Sequence, residues 1–329
     1  MTQAARINQD IATAEEATSE TSSIEASYEI CADIVRNRAR NFYHGLLLTP
    51  EPKRSAIYSI YAWMRRADDA VDAVGSIEQK RDRLNHISET TAEVLNGHLP
   101  AAAVRADPIW PAFAETVRRY ELDHEDINAM LAGLEDDLRH ESAPDFDASN
   151  PRPLYETRDE LVQYCFRVAS IVGKICVTIW GHVPGVDRSE MMRLAELRGL
   201  AFQLTNILRD FREDYHEGRI YIAREDLAKH DLSPQQVLAF DPADRCTALI
   251  ADIAAWARQS YEESAALDAM IDPQNEPAMW AMTRIYSGLL ERIEQDPSRV
   301  VSEKRIRLAS ARKAAIGVSA LLRAKVRQR

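Results

Sequence analysis

The sequence has little glycine and proline, 11 and 14 residues in a chain of 329. An all-β protein needs more turn punctuation than that, so composition leans toward helices. Paired cysteines are also missing. Cys31, Cys165, Cys176 and Cys246 are scattered, with no Cys-x-x-Cys and no histidine at ligand spacing. That pattern argues against a zinc site and a disulfide framework and is the one expected of buried thiols in a reducing cytoplasm. No stretch reaches the roughly 18 consecutive apolar residues of a membrane-spanning helix. The most apolar one, residues 161–180, is interrupted by Gln163, Arg167 and Lys174. Alternating strand patterns and solenoid-period repeats are absent too. The opening residues, MTQAARINQDIATAEEATSETSSIEAS, lack the basic-then-apolar pattern of a secretory signal. Residues 1–25 are therefore expected to be a flexible tail on a cytoplasmic protein.

What is present is an apolar fraction of 46% against 28% charged residues, enough for a sizeable core and too apolar for disorder. The net charge of −11 hides an asymmetry, because residues 304–329 hold nine Lys or Arg and no acid. An acidic body with a basic end excludes a uniformly basic, nucleic-acid-coating protein. The basic end reads either as a solvated helix face, the commoner case, or as a peripheral contact with an anionic inner membrane surface. Helical periodicity recurs between breaks at LTPEP (48–52), residues 106–111, SAPDFDASNPRP (142–153), HVPG (182–185) and DPQNEP (272–277). These separate about eight or more helices. The simplest fit is one all-α bundle over residues 26–310, followed by a basic helix end at 311–329.

Two helices carry chemistry. Residues 54–74, RSAIYSIYAWMRRADDAVDAV, end an apolar run in Asp68, Asp69 and Asp72. At about 100° per residue, Tyr61, Arg65, Asp68 and Asp72 share a stripe roughly 60° wide. Acidic helix faces are usually just solvated, but here the flanking IYSIYAWM wants burial, and like charges at i,i+4 repel unless something compensates them. Mg2+ suits the pair, since it takes one or two carboxylates and completes its shell with water and phosphate oxygens. Residues 203–226, QLTNILRDFREDYHEGRIYIARED, supply a second wall. Gln203, Asn206, Asp210 and Asp214 lie within about 80° of one another. Glu213 is slightly off that stripe, and Arg219 and Tyr221 follow the helix-ending Gly218 within reach of phosphate oxygens.

These segments, with YCFRVASIVGKICVTIWG at 164–181 and NFYHGLLLTPEPKRSAIY at 41–58, resemble the squalene and phytoene synthase family of head-to-head prenyl diphosphate condensing enzymes. The likeness spans roughly residues 30–310. Terpene cyclases share the first motif, but they usually carry Ser and Glu where this chain has Asp210 and Asp214. The resemblance implies an isoprenoid synthase fold, a helical bundle around a central hydrophobic cavity, with two or three Mg2+ ions between the acidic motifs. By position it makes Asp68, Asp69, Asp72, Asn206, Asp210 and Asp214 metal ligands. Arg65, Arg209, Arg219, Arg305 and Gln203 would hold diphosphate. Tyr61, Arg65, Tyr164, Arg209, Tyr221 and Tyr286 would be catalytic, and Phe42, Leu46, Phe166 and Phe202 would line the hydrocarbon pocket. The family commonly shows Tyr-Cys-Tyr where this chain has Tyr164, Cys165 and Phe166.

Bulky Phe42, Tyr43, Leu46 and Leu47 would shorten a hydrocarbon tunnel, so the expected substrate is farnesyl diphosphate, giving presqualene diphosphate and then squalene or dehydrosqualene. The alternative is condensation of two geranylgeranyl diphosphates to phytoene. An inactive helical scaffold of the same fold is the non-enzymatic alternative. NADPH use stays open, because the family binds it without a glycine-rich fingerprint.

Overall fold

The breaks read from the sequence are helix boundaries in the computed structural model, which describes residues 23–39, 41–144 and 146–327. Helix α1 (23–38) is followed by α2 (Asn41–Leu46), α3 (Lys53–Asp72), α4 (Ile77–Leu95), α5 (Ala101–Ala106), α6 (Trp110–Arg119) and α7 (His124–Glu141). Next come α8 (Arg158–Cys165), a π-helical turn at Phe166–Ser170, α9 (Ile171–Trp180) and the long α10 (Arg188–His216). The chain ends with α11 (Arg224–Lys229), α12 (Pro234–Ala239), α13 (Ala243–Glu263), α14 (Leu267–Met270), α15 (Glu276–Gln295) and α16 (Ser310–Arg327). The tail expected over residues 1–25 lies outside the described residues up to 22, and residues 23–25 are already helical. Among the described residues β-pairing is confined to two isolated bridges, Pro153 with Ile220 and His182 with Ile271.

Local chemistry sets several of these boundaries. Ser76 and Ser233 close capping boxes with Gln79 and Gln236, and the Asp187 carboxylate accepts from the backbone of Ser189 and Glu190 to start α10. Gly218 stops α10 at φ +83°, and the Arg219 amide turns back onto the Asp214 carbonyl at 2.8 Å. A side chain at Gly218 would collide with Phe146 and Ala148, so the polar 142–153 segment is packed against the end of α10.

Apolar residues gather in two clusters. One is built around Trp63 stacked on Phe113 at 4.9 Å, with Trp180 and Ile127; the other around Leu208, Leu249 and Leu289. Each fully buried aliphatic side chain contributes about 1.5 to 3 kcal/mol. α10 runs through both clusters, and its Phe202 packs against each. Where α10 meets the π turn and α9 the backbones touch: a Cβ on Gly199 would stand 2.4 Å from Ser170 Cα, and one on Gly173 would stand 3.1 Å from the Ala195 carbonyl. Small residues are obligatory at that crossing. The continuous helix Arg158–Trp180 is long and apolar enough to cross a bilayer by length and composition. Here it packs on α7 and α10, with Arg167 paired to Asp136 and Lys174 bonded to Asp126 at 2.7 Å. Cys31, Cys165 and Cys246 are buried free thiols, and Cys176 is partly buried.

Candidate active site

The last two turns of α3 project its acids as the 100° spacing requires. Asp68 and Asp72 line a cavity of about 260 Å3, together with Asn206, Asp210 and Asp214 from α10. Asp69 does not line it. Its carboxylate accepts from Arg38 at 2.8 Å and from Arg65, so it is an ion-pair partner and not a member of the acidic wall. Angular position explains the difference, since Asp69 lies about 80° from Tyr61 and outside the stripe of Asp68 and Asp72.

On α10, Asp210 is clamped. Arg209 Nε donates to it at 2.7 Å, Arg305 Nε at 2.9 Å, and the second Arg305 nitrogen stands 2.7 Å from its other oxygen. Arg305 also reaches Glu213 at 3.3 Å. Asp214 has no such clamp; burial, then the charge of Asp210, push its carboxyl up to about 8, against the pull of Arg219. Asp68 is pushed up to about 6, first by burial and then by Asp72 and Asp69, with Arg65 opposing.

A fifth acid in the cavity comes from a third helix, α7. Asp137 lines it, its Oδ1 is buried without a hydrogen-bond partner, and burial pushes its carboxyl up to about 7 despite Arg219. Sequence reasoning passed over Asp137. The available signal was an acid at the edge of the apolar stripe of Met130, Leu134 and Leu138, at helical spacing. Beside Asp137, three phenols stack in series: Tyr155 on Tyr164 at 5.3 Å and Tyr164 on Tyr221 at 5.1 Å. Tyr164 and Tyr221 also share a hydrogen bond, and burial holds both phenols protonated.

Two further cavities meet this one. A basic vestibule of about 1100 Å3 is lined by Arg38, Arg65, Arg209, Arg305, Arg307 and Lys313, with Tyr61 and Tyr286. An apolar pocket of about 180 Å3 is lined by residues that include Leu46, Ile60, Met64, Val172, Phe202 and Met282. Asn206 lines all three, and its Oδ1 is buried without a partner. Gln203 faces both the acidic and the apolar side, and its Oε1 accepts from Asn206 Nδ2 at 3.2 Å. Tyr286 stacks on Phe202 at 4.6 Å and hydrogen-bonds Arg209; burial pushes its phenol up to about 12. Tyr61 lines both the vestibule and the apolar pocket. Arg219 and Tyr221 line the acidic cavity, as their place after Gly218 suggested. A separate groove of about 660 Å3 beside α4 and α6 shares no lining residue with these three.

Of the four side chains expected in the hydrocarbon pocket, Leu46 and Phe202 are there. Phe166 is not; its ring lies 5.4 Å from Lys174 Nζ on another side of the helix. In a regular α-helix Phe166 would sit within about 60° of Ala169 and Gly173, which do line the pocket. The π turn adds a residue to that turn and rotates Phe166 away. The Phe42 side chain lies outside the described residues. Leu47 is 42% exposed and, like Tyr43, does not line the pocket, so among the described side chains of the bulky group only Leu46 narrows it.

The donor set fits a hard cation. Among the described residues no three Asp, Glu, His or Cys side chains are close enough to hold one ion unaided. The cavity offers carboxylates in ones and twos from three helices, plus amide oxygens, which is the partial shell Mg2+ accepts when water and phosphate oxygens supply the rest. Three carboxyls pushed upward by burial and mutual repulsion are groups that a divalent cation would relieve.

A family model described as squalene/phytoene synthase matches residues 35–312. The phytoene synthase of Mycobacterium tuberculosis is 35% identical over 302 residues, 91% of each chain. That of Arthrospira platensis is 32% identical over 287 residues, 84% of this chain and 87% of the relative. Among solved structures, a dehydrosqualene synthase in complex with ligand superposes with a TM-score of 0.75 at 24% identity, covering 93% of this chain and 99% of that one. A squalene synthase from Alicyclobacillus acidocaldarius gives 0.71 at 23% identity, covering 83% and 94%. The bundle is thus the all-α isoprenoid synthase fold.

Proposed function

The chain belongs to the squalene/phytoene synthase family and is a prenyltransferase of the head-to-head type; from that premise we propose that it joins two geranylgeranyl diphosphates to phytoene. The prenyltransferase class displaces the inactive-scaffold alternative. The observation that carries the reaction is the meeting of an acidic cavity, a basic vestibule and an apolar pocket at Asn206, which matches a substrate with an anionic head and a hydrocarbon tail. The choice of substrate is supported by the relatives named phytoene synthase; the steric argument for farnesyl diphosphate is also weaker, since Tyr43 and Leu47 do not line the pocket and Leu46 is the one described bulky side chain that does.

In this reading Asp68, Asp72, Asn206, Asp210 and Asp214 hold Mg2+, with Asp137 beside them. The ion, when bound, would neutralise the diphosphate leaving group and lower the barrier to breaking the allylic carbon–oxygen bond. Arg65, Arg209, Arg219, Arg305 and Gln203 hold the diphosphate oxygens, and the protonated Tyr164 and Tyr221 hydrogen-bond them. The ring faces of Tyr61, Phe202 and Tyr286 stabilise the allylic cation by about 0.5 to 2 kcal/mol each and keep water from it. Attack by the double bond of the second substrate forms the cyclopropylcarbinyl diphosphate with loss of one proton. A second ionisation, rearrangement and loss of another proton give phytoene, so no reductant is consumed and NADPH has no part in this reading.

The test is incubation of the purified chain with Mg2+ and farnesyl or geranylgeranyl diphosphate, with and without NADPH, then phosphatase treatment and mass spectrometry. A forty-carbon hydrocarbon indifferent to NADPH is expected. A thirty-carbon product alone, or none from geranylgeranyl diphosphate, overturns the assignment.

A further inference from the structure

Five large apolar side chains are exposed among the described residues, and three of them, Val318 at 58%, Leu321 at 55% and Leu322 at 59%, stand on the outer face of α16. With exposed Ala314 and Ala315 they form a stripe about 120° wide, and exposed Lys325 continues it by one turn. The opposite face is tied down. Ile316 and Ala320 are buried, Arg323 pairs with the buried Glu276 at 2.6 Å and lies over the Trp280 ring, and Arg312 pairs with Glu291. The helix is therefore held rigidly with its apolar stripe outward. Its 18 residues carry five Lys or Arg and no acid.

We propose that the outer face of α16 is a docking surface for an anionic lipid bilayer. Charge complementarity selects this occupant: an apolar stripe on a helix with only cationic side chains suits anionic headgroups over an acyl layer. A second copy of the chain suits it poorly, because five residues of one helix fall far short of the about 20 to 30 per side that a stable interface uses. Position adds to the argument, since Lys313 near the start of α16 lines the basic vestibule with Arg305 and Arg307. Docking on this face places the vestibule beside the bilayer. That last point rests on the proposed function, in which the substrate is an amphiphile and the product a hydrocarbon with no polar group.

The full chain is tested by co-sedimentation with phosphatidylglycerol or phosphatidylcholine vesicles, as the native sequence, as V318S/L321S/L322S and as Lys325→Glu. The triple variant alters only exposed side chains, so its helical circular dichroism and its turnover of detergent-dispersed substrate should match the native chain. Native protein is expected on phosphatidylglycerol vesicles and much less on phosphatidylcholine, with binding about a hundredfold weaker in the triple variant. Lys325→Glu should bind anionic vesicles about tenfold more weakly. The proposal is overturned if native protein ignores phosphatidylglycerol, or if the triple variant binds as well as native. It is equally overturned if the triple variant loses only self-association in sedimentation velocity, which would assign the face to a second copy. A chain that binds vesicles yet makes no phytoene would sink the proposed function and leave this surface standing.

Discussion

Replacing Asp137 by Asn should make the metal-free protein more stable at alkaline pH. The carboxyl sits at about 7 in the folded chain against an ordinary 3.8, chiefly through burial. The folded state thus holds this proton more tightly than the unfolded state, so the associated stability is complete at low pH and is lost as pH rises from 3.8 through about 7. At about 1.4 kcal/mol per pKa unit the full loss is ~4 kcal/mol. Water entering the cavity from the vestibule screens the charge, and taking half leaves ~2 kcal/mol. An unfolding entropy of about 2.1 cal/mol/K per residue converts that to ~3 °C for this chain. Asn carries no charge and escapes the penalty. In thermal melts without divalent cations, the advantage of Asp137→Asn over native should grow from about 1 °C at pH 5 to about 3 °C at pH 8.5. A gap that is flat or shrinks with pH would refute the assignment of Asp137 to a buried, acid-crowded site.

Asp68→Ala and Asp210→Ala should each abolish turnover while leaving the circular dichroism of the fold intact; more than about a tenth of native activity would count against their role as ligands. Gly199→Ala forces a Cβ to within 2.4 Å of Ser170 Cα, and the resulting strain of about 1 to 3 kcal/mol should lower the melting temperature by about 2 to 4 °C. An unshifted melt would mean that α10 and the π turn are not in backbone contact. Phe166→Tyr should leave turnover within about twofold of native, since the ring lies beside Lys174 and away from the pocket. A marked gain would place its hydroxyl at the reacting centre.

The acids on α3 and α10 were legible because both helices keep regular spacing, and a carboxylate every fourth residue is then a wall. Arg219 and Tyr221 were legible from a glycine stop. Asp137 was not, because its partners arrive from other helices, and the acid one turn on, Glu141, pairs with Lys80 and does not line the cavity. The displacement of Phe166 had no compositional signature at all: a π turn is made by a single extra residue, and FRVAS reads as ordinary helix. The small residues at 169, 170, 173, 195 and 199 were readable individually, but their common cause, two helix backbones in contact, exists only in three dimensions.

In the resting chain Asp210 is already paired with Arg209 and Arg305, which on the proposed function would make cation and anion binding one exchange. An incoming diphosphate would draw the two guanidiniums onto its own oxygens and free Asp210 for a cation; a cation at Asp210 would free the arginines for a diphosphate. Each ligand should therefore raise the affinity for the other by the same factor. Calorimetric titration of Mg2+ with and without pyrophosphate, corrected by a protein-free titration for the complex the two form in solution, reads that factor, and equal corrected affinities would show that the clamp never opens. If it does open, metal and substrate fill the site together, and a chain lacking either keeps its charges paired among themselves.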